Sequence, residues 1–166
     1  MREIVPITGE LAAVYRQVRL TALRDAPSAF GSTYAREVLF TEEEWLQRAG
    51  NLDKDRKIGF IAMDAGEPCG LIGCLADEQD SSRADVVSMW VAPSHRRTGL
   101  SSALLDAVRA WAVSRNIATL QLMVTSNNYA AIAFYERYGF VKTGRTEPYS
   151  NDPALLELEM VRHSTA

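Results

Sequence analysis

The run VVSMWVAPSHRRTGLSSALLDAVRAW holds the residue types and spacing that most readily do chemistry. An apolar strand ends at Val91, Pro93 stops it, and a short loop to Thr98 leads into a helix that starts near Gly99. The first N–H groups of a helix have no partner inside it and carry the positive end of its dipole. They suit an anion, a phosphate above all. Gly99 has no Cβ, which lets a phosphate approach the backbone closely. Arg96 and Arg97 flank the loop and add charge. This is not a P-loop, since no Gly-Lys-Ser/Thr follows, and it is not a G-x-G-x-x-G fingerprint. An ordinary strand, loop and helix with exposed arginines has the same outline.

A second run, NNYAAIAFYERYGF, makes Asn128 the cap of a helix on which Ala131, Tyr135 and Tyr138 share a face. Gly139 is its left-handed C-terminal residue, and Phe140 opens the next strand. Taken alone, this is a core-facing aromatic stripe. The two cysteines, Cys69 and Cys74, are five apart, which fits neither a zinc spacing nor a redox C-x-x-C pair. On one strand an odd separation sends them to opposite faces. They read as reduced thiols in or near a core.

Elements that hold these runs follow from periodicity. Ile4 to Ile7 is a short strand. Apolar residues at helical spacing from Leu11 to Leu23 predict a helix that starts at Glu10 and ends at Pro27. Ser28 to Val38 has no clean period and reads as a loop. Thr41 caps a helix over EEEWLQRAG, with Glu44 as capping-box partner and Gly50 as its close. Lys57 to Asp64 and Pro68 to Ala76 form a hairpin, followed by a polar loop from Asp77 to Ser82. Ala84 to Val91, Thr119 to Val124, Phe140 to Arg145 and Leu155 to Val161 are further strands. Asn116 is a left-handed cap for the helix that begins near Gly99, and Glu147 to Pro153 is a polar loop. No repeat or linker divides the 166 residues, so one α/β domain over 1–166 with a mixed sheet is expected.

Composition narrows the classes. The chain is 47% apolar and 23% charged, an ordinary soluble balance. A net charge of −3 offers no basic footprint for nucleic acid. No apolar run is long enough to span a membrane, and the N-terminus has no signal-peptide core. Without a disulfide framework, a cytoplasmic setting is expected.

Together the two runs resemble the signatures of the GNAT N-acetyltransferase superfamily. The first signature is Q/R-x-x-G-x-G/A after a strand ending V-x-P. This chain has Val91-Ala92-Pro93 and then Arg96-Arg97-Thr98-Gly99-Leu100-Ser101. The second, N-x-x-A-x-x-x-Y-x-x-x-G-F, is met by Asn128, Ala131, Tyr135, Gly139 and Phe140. Spacing and element order agree over roughly residues 56 to 145, and the opening helices and closing strands also fit. Ser101 departs from the pattern, standing where Gly or Ala is usual. It is small, and its hydroxyl suits a phosphate.

The resemblance implies a mixed, mostly antiparallel sheet with flanking helices and one splayed strand pair. It implies acetyl-CoA as co-substrate and no metal. The pyrophosphate would rest on backbone N–H groups of Arg96, Arg97, Thr98, Gly99, Leu100, Ser101 and Ser102. The pantetheine arm would pair with the backbone of Met89, Trp90 and Val91, and the amide near Val91 would polarise the thioester. Asn128 would touch the cofactor or simply cap its helix. Tyr135 occupies the position of the general acid, with Tyr138 a rival outside the motif. Asp85, eleven residues before Arg96, stands where many members hold a glutamate base, and it is equally an exposed strand-end Asp. His95 reads as solvated or phosphate-side. Trp45, Phe30 and Tyr34 are expected to wall the acceptor site, with Tyr149 in a similar place.

The implied activity is direct transfer of acetyl to a primary amine of a small molecule or protein. The alternatives are an N-terminal protein acetyltransferase and a non-catalytic acyl-CoA-binding module. A dinucleotide oxidoreductase is opposed by the missing glycine fingerprint. Expected partners are a small-molecule or peptide amine, with no nucleic acid and no membrane, and the resemblance allows a homodimer.

Overall fold

A computed structural model of the chain describes residues 1–164. In chain order it contains β1 (Arg2–Pro6), α1 (Ala12–Asp25), a single-turn α2 (Tyr34–Glu37), α3 (Glu42–Asn51), β2 (Lys57–Asp64) and β3 (Glu67–Ala76). There follow β4 (Arg83–Val91), α4 (Leu100–Ser114), β5 (Thr119–Thr125), α5 (Tyr129–Tyr138), β6 (Val141–Tyr149) and β7 (Asp152–His163). The strands form one seven-stranded sheet in the order β1-β2-β3-β4-β5-β7-β6. Neighbours are antiparallel except β4 and β5, which run parallel. This is the mixed, mostly antiparallel α/β sheet expected from the sequence.

Local chemistry sets most of the boundaries. The Thr41–Glu44 capping box forms in both directions. Ala65 and Gly66 turn the β2–β3 hairpin with φ of 51° and 82°, the left-handed pair that a two-residue hairpin turn needs. Other boundaries differ from expectation. Gly50 lies inside α3, which runs on to Asn51. The stretch 28–38 is not all loop, because the Thr33 hydroxyl accepts the Arg36 N–H at 3.2 Å and starts α2, which is too short to display a period. The polar stretch 147–153 is largely strand, since β6 and β7 pair out to Tyr149 and Asp152. All of β6 but its last residue is exposed, so it has no apolar alternation to read. Cys69 is the extra residue in a bulge between the pairs Ala62–Gly70 and Met63–Pro68. The bulge shifts the alternation by one, and both cysteines fall in the same core instead of on opposite faces.

Each face of the sheet has its own core. On one, Leu104, Leu105 and Val108 of α4 pack on Ala62, Ile72, Cys74 and Leu120. On the other, Tyr15, Val18, Leu23 and Trp45 from α1 and α3 pack on Ile61, Leu71 and Trp90. That second core takes its strand residues from β1 to β4, whereas on the same face of β6 the segment 27–31 is met by Tyr149, which bonds to the Pro27 and Phe30 carbonyls.

Between β4 and β5 the sheet comes apart. Their pairing is confined to Arg83–Thr119, Ala84–Leu120 and Asp85–Gln121. Beyond the Asp85–Gln121 rung the two strands diverge as a fork. On its other edge β4 bulges: Trp90 pairs with Leu71 and Val87 with Gly73, so Ser88 and Met89 together face Ile72. Ser88 takes a φ of 59°, a left-handed conformation uncommon outside glycine.

Candidate active site

The helix α4 starts with no side-chain cap. Gly99 holds the cap position at a φ of 84°, and the N–H groups of residues 97–102 meet no acceptor among the described residues. A Cβ on Gly99 would have nothing within 4 Å, so the space before these amides is open. Successive unpartnered N–H groups at a helix start make an anion cradle. Thr98 and Leu100 contribute backbone only: the Thr98 hydroxyl donates to the His95 carbonyl, and the Leu100 side chain is in the core.

Arg96 departs from the sequence expectation: its N–H donates to the Pro93 carbonyl at 3.4 Å, so it is not one of the free amides. Its guanidinium turns back to the Asp25 carboxylate at 2.6 Å, and its Nε donates to the Val91 carbonyl at 3.1 Å. Trp90 Nε1 donates to the same Asp25 oxygen at 2.9 Å. The Trp90 bond foremost, followed by Arg96 against the opposing effect of burial, holds the Asp25 carboxyl below its usual range. Arg96 thus braces the loop from behind, and Arg97 is the freely exposed cation. His95 also turns away, with Nε2 2.8 Å from Asp64 Oδ2.

A cavity of about 980 Å³ runs from this loop along β4 to α5, with Trp90, Val91, Gly99, Ser101, Ser102 and Phe134 among its walls. The Ala92 N–H donates to Cys69 on β3 at 2.8 Å. Strand alternation then turns the Val91 N–H the other way, into the gap. A second cavity of about 430 Å³ lies on the α1 side of the fork. The two share Met89, Asn128, Ala131 and Tyr135, which mark the passage between them.

Tyr135 stands in that passage, 8% exposed. Its hydroxyl makes no hydrogen bond to the described residues, and burial pushes the phenol above its ordinary range. Contact with the ring of Phe140, centroids 5.6 Å apart and nearly edge-on, fixes its orientation. Tyr138 is committed elsewhere. Its hydroxyl donates to Asp106 at 2.7 Å, and burial, with Asp106, raises it to about 12. It lines only the larger cavity. Asn128 accepts the Ala131 N–H at 3.3 Å, so it caps α5 and borders both cavities at once.

The smaller cavity is built from distant stretches. Asp85 sits on the last rung of the fork and accepts a hydrogen bond from Gln121, whose carbonyl accepts from Arg83. Gln121, Met123 and Thr125 face the cavity from β5, and Arg145, Glu147, Glu157 and Glu159 from β6 and β7. Buried Glu159 accepts from Thr143 at 3.0 Å and from Arg145 at 3.4 Å. Of the aromatics expected here, Phe30 and Tyr149 do line it. The Tyr149 hydroxyl donates to the Phe30 carbonyl at 2.5 Å. Trp45 does not line it: 1% exposed, it packs against Tyr15 and Phe40 in the core. Tyr34 lies under the Arg24 guanidinium instead. The three glutamates escaped the sequence expectations, although Glu157-Leu158-Glu159-Met160 alternates in a way that puts two of them on one face.

Behind the fork lies a buried ionic group. Arg19 of α1 donates twice to Glu37 at 2.9 Å, and its third bond, 2.6 Å, goes to the hydroxyl of Ser88 at the β4 bulge. Arg48 joins Glu37 from α3 at 2.8 Å. Burial alone would raise the Glu37 carboxyl; Arg19 and Arg48 outweigh it and hold it at about 2.

A family model described as "Acetyltransferase (GNAT) family" matches residues 20–140. An uncharacterized N-acetyltransferase of Methanocaldococcus jannaschii is 27% identical over 101 residues, a match covering 58% of this chain and 42% of that protein. The chain therefore spans less than half of that relative. An acetyltransferase of the GNAT family from Streptococcus pneumoniae superposes with a TM-score of 0.83 over 99% of this chain and 100% of its own, at 23% identity. A putative streptothricin acetyltransferase from Bacillus anthracis str. Ames, solved in complex with acetyl coenzyme A, does so at 0.61 over 68% and 65%, also at 23% identity. At such identities the two structures speak to the fold alone.

Proposed function

The chain belongs to the acetyltransferase (GNAT) family, and from that premise we propose that it is an acetyl-CoA-dependent N-acetyltransferase acting on a primary amine. One observation carries the proposal: an open row of unpartnered amides, residues 97–102, leads along a free strand edge to a passage that joins a second cavity. The amides suit the pyrophosphate, with Gly99, Ser101 and Ser102 at its mouth. The edge of Met89, Trp90 and Val91 suits an amide-bearing arm, because β4 has no partner there on its β5 side. Acetyl-CoA supplies the activated acyl group as a substrate.

The chain's own groups then have definite tasks. The Val91 N–H, aimed into the gap, stabilises the charge that develops on the carbonyl oxygen. The amine nitrogen forms its bond to the carbonyl carbon as the C–S bond breaks. Tyr135, whose hydroxyl has no competing partner, gives a hydrogen bond or proton to the departing sulfur. Asp85, on the smaller cavity, receives the proton the amine loses, directly or through water.

Thiol release from acetyl-CoA across a panel of amines and peptides, combined with thermal shift, tests this. The expected result is stabilisation by acetyl-CoA and turnover with at least one amine. No shift at millimolar acetyl-CoA and no turnover with any acceptor would remove the proposal. Asp85→Asn tests the base separately: a base contributes roughly 10²–10⁴-fold, and a rate within about twofold of wild type at every pH would leave Asp85 a structural residue.

A further inference from the structure

The smaller cavity has a far wall that acceptance of a single amine does not require. Across β5 and β7, Gln121 faces Val161, Met123 faces Glu159 and Thr125 faces Glu157. Glu157 also faces Glu147 across β6. Each two-residue step along a strand is about 7 Å, so the Glu157 rung stands about 13 Å along the strands from the Asp85–Gln121 rung. Among the described residues Arg145 is the one basic side chain lining the cavity, against Asp85, Glu147, Glu157 and Glu159. Arg145 answers two of these, lying 3.4 Å from Glu159 and 3.8 Å from Glu147. Glu157 forms no ion pair or side-chain hydrogen bond with the described residues.

Beside Glu157 is a second, independent sign. Thr125 is 2% exposed, lines the same cavity, and its hydroxyl has no hydrogen-bond partner. A buried hydroxyl without a partner is unfavourable and uncommon. The wall therefore offers three oxygen-bearing groups, Glu157, Glu147 and Thr125, in a space of about 430 Å³, within the range that encloses small ligands. An ammonium group has three N–H donors and no acceptor. It matches a wall made of acceptors with excess negative charge.

We propose that this wall is a subsite for a second cation, and that the acceptor is a small molecule carrying two amines. One amine reacts at the passage beside Tyr135, while the other, as an ammonium, is held by Glu157, Glu147 and Thr125. This rests on the acetyltransferase proposal above. Burial, and then the Glu147 charge, raise the Glu157 carboxyl from its usual range. A bound ammonium would supply the counter-charge that this carboxyl lacks.

The test compares thiol release from acetyl-CoA with butylamine, 1,4-diaminobutane, 1,6-diaminohexane and spermidine. The expected result is a kcat/KM at least tenfold higher for the best diamine or polyamine than for butylamine, arising in KM. Glu157→Gln should shrink that preference to within about threefold, the loss appearing in KM for the diamine. Thr125→Val, which keeps the side chain's shape, should weaken diamine binding in the same direction. Equal kcat/KM for butylamine and the diamines in the wild-type protein overturns the proposal. So does an equal fall in kcat for all amines in Glu157→Gln, which would make Glu157 part of proton transfer. If no amine at all releases thiol, the acetyltransferase proposal has failed instead. Calorimetry with 1,6-diaminohexane alone then decides the subsite: heat that disappears in Glu157→Gln supports it, and no heat overturns it.

Discussion

The two cavities that meet at the fork are made of different material. The larger is defined by backbone: the free amides of residues 97–102 and the unpaired edge of β4. The smaller is defined by side chains that arrive from β4, β5, β6, β7 and the loop at 28–31. A backbone site is written in a short run, because a glycine, a proline and a helix start suffice to aim the amides. A side-chain site depends on strand register between residues far apart in sequence, and a change at one strand does not announce itself at another. The difference predicts unequal sensitivity. Side-chain substitutions in the larger cavity should matter little unless they alter the backbone, whereas those in the smaller should act directly.

The largest expected effect lies in the support shared by both cavities, the Arg19 group that holds the β4 bulge through Ser88. Arg19→Leu leaves Glu37 buried with only Arg48 opposite. Breaking a buried pair from one side costs roughly 3–5 kcal/mol, so denaturant unfolding should register a loss of about that size. A loss under about 1 kcal/mol would show that Arg48 alone satisfies Glu37. The same group sets an acid limit. Glu37 is depressed in the folded chain to about 2, against roughly 4.3 for an unperturbed Glu. Its contribution is therefore complete above the unfolded value and disappears as pH falls from about 4.3 towards 2. Stability curves for wild type and Glu37→Gln should converge across that window. Parallel curves would place the acid sensitivity in other groups.

Next in size is Gly99→Val. A Cβ there meets nothing within 4 Å, so harm is expected from two sources. One is the φ of 84°, which a β-branched residue adopts only with strain. The other is a side chain standing where a phosphate would lie. We expect affinity for CoA to drop at least 30-fold, about 2 kcal/mol, in calorimetry on protein that circular dichroism shows still folded. Unaltered affinity would move the phosphate away from α4. Tyr135→Phe follows, with kcat lowered at least tenfold, about 1.4 kcal/mol of barrier, and CoA affinity within a few-fold. An unchanged kcat with chemistry rate-limiting would leave the thiolate to depart without Tyr135.

The same contrast explains what could be read from the sequence. The order of strands and major helices followed from apolar periodicity, and the Thr41 and Asn128 caps from local hydrogen-bonding chemistry. Both signature runs lay intact within short stretches. The exposed strand β6 was cut short because a solvated strand carries no alternation. The resemblance puts Trp45 at the acceptor wall through its place in the opening helices, yet its neighbours Tyr15 and Phe40 draw it into the core. The sequence shows Arg96 adding charge beside the loop but not its partner, Asp25, which lies 71 residues away. The acidic wall was hidden for the same reason: Thr125, Glu147 and Glu157 become neighbours only through the β5–β7–β6 register.

The smallest expected effect belongs to Ser101. It stands where the family pattern has Gly or Ala, in the first turn of α4, and lines the larger cavity. Two contributions to phosphate binding compete there. The hydroxyl can donate a hydrogen bond to a phosphate oxygen, and such a bond to a charged group is worth roughly 1.5–3 kcal/mol. The backbone N–H groups on either side donate whatever the side chain is, and the helix start adds its positive end. If backbone makes this cavity, Ser101→Ala keeps every amide, the helix start and the small size of the residue. Affinity for CoA should then stay within about threefold of wild type, under about 0.7 kcal/mol. Ala is also the better helix former, so the melting temperature should not fall. A tenfold or greater loss in calorimetry, with melting unchanged, would mean that the hydroxyl itself grips the phosphate. The larger cavity would then be, at this position, a side-chain site like the smaller one. Ser101→Gly separates the cases further, since it also keeps the amide and lacks the hydroxyl, but loosens the first helical turn. Binding that survives in Ala and weakens in Gly would assign the difference to backbone order.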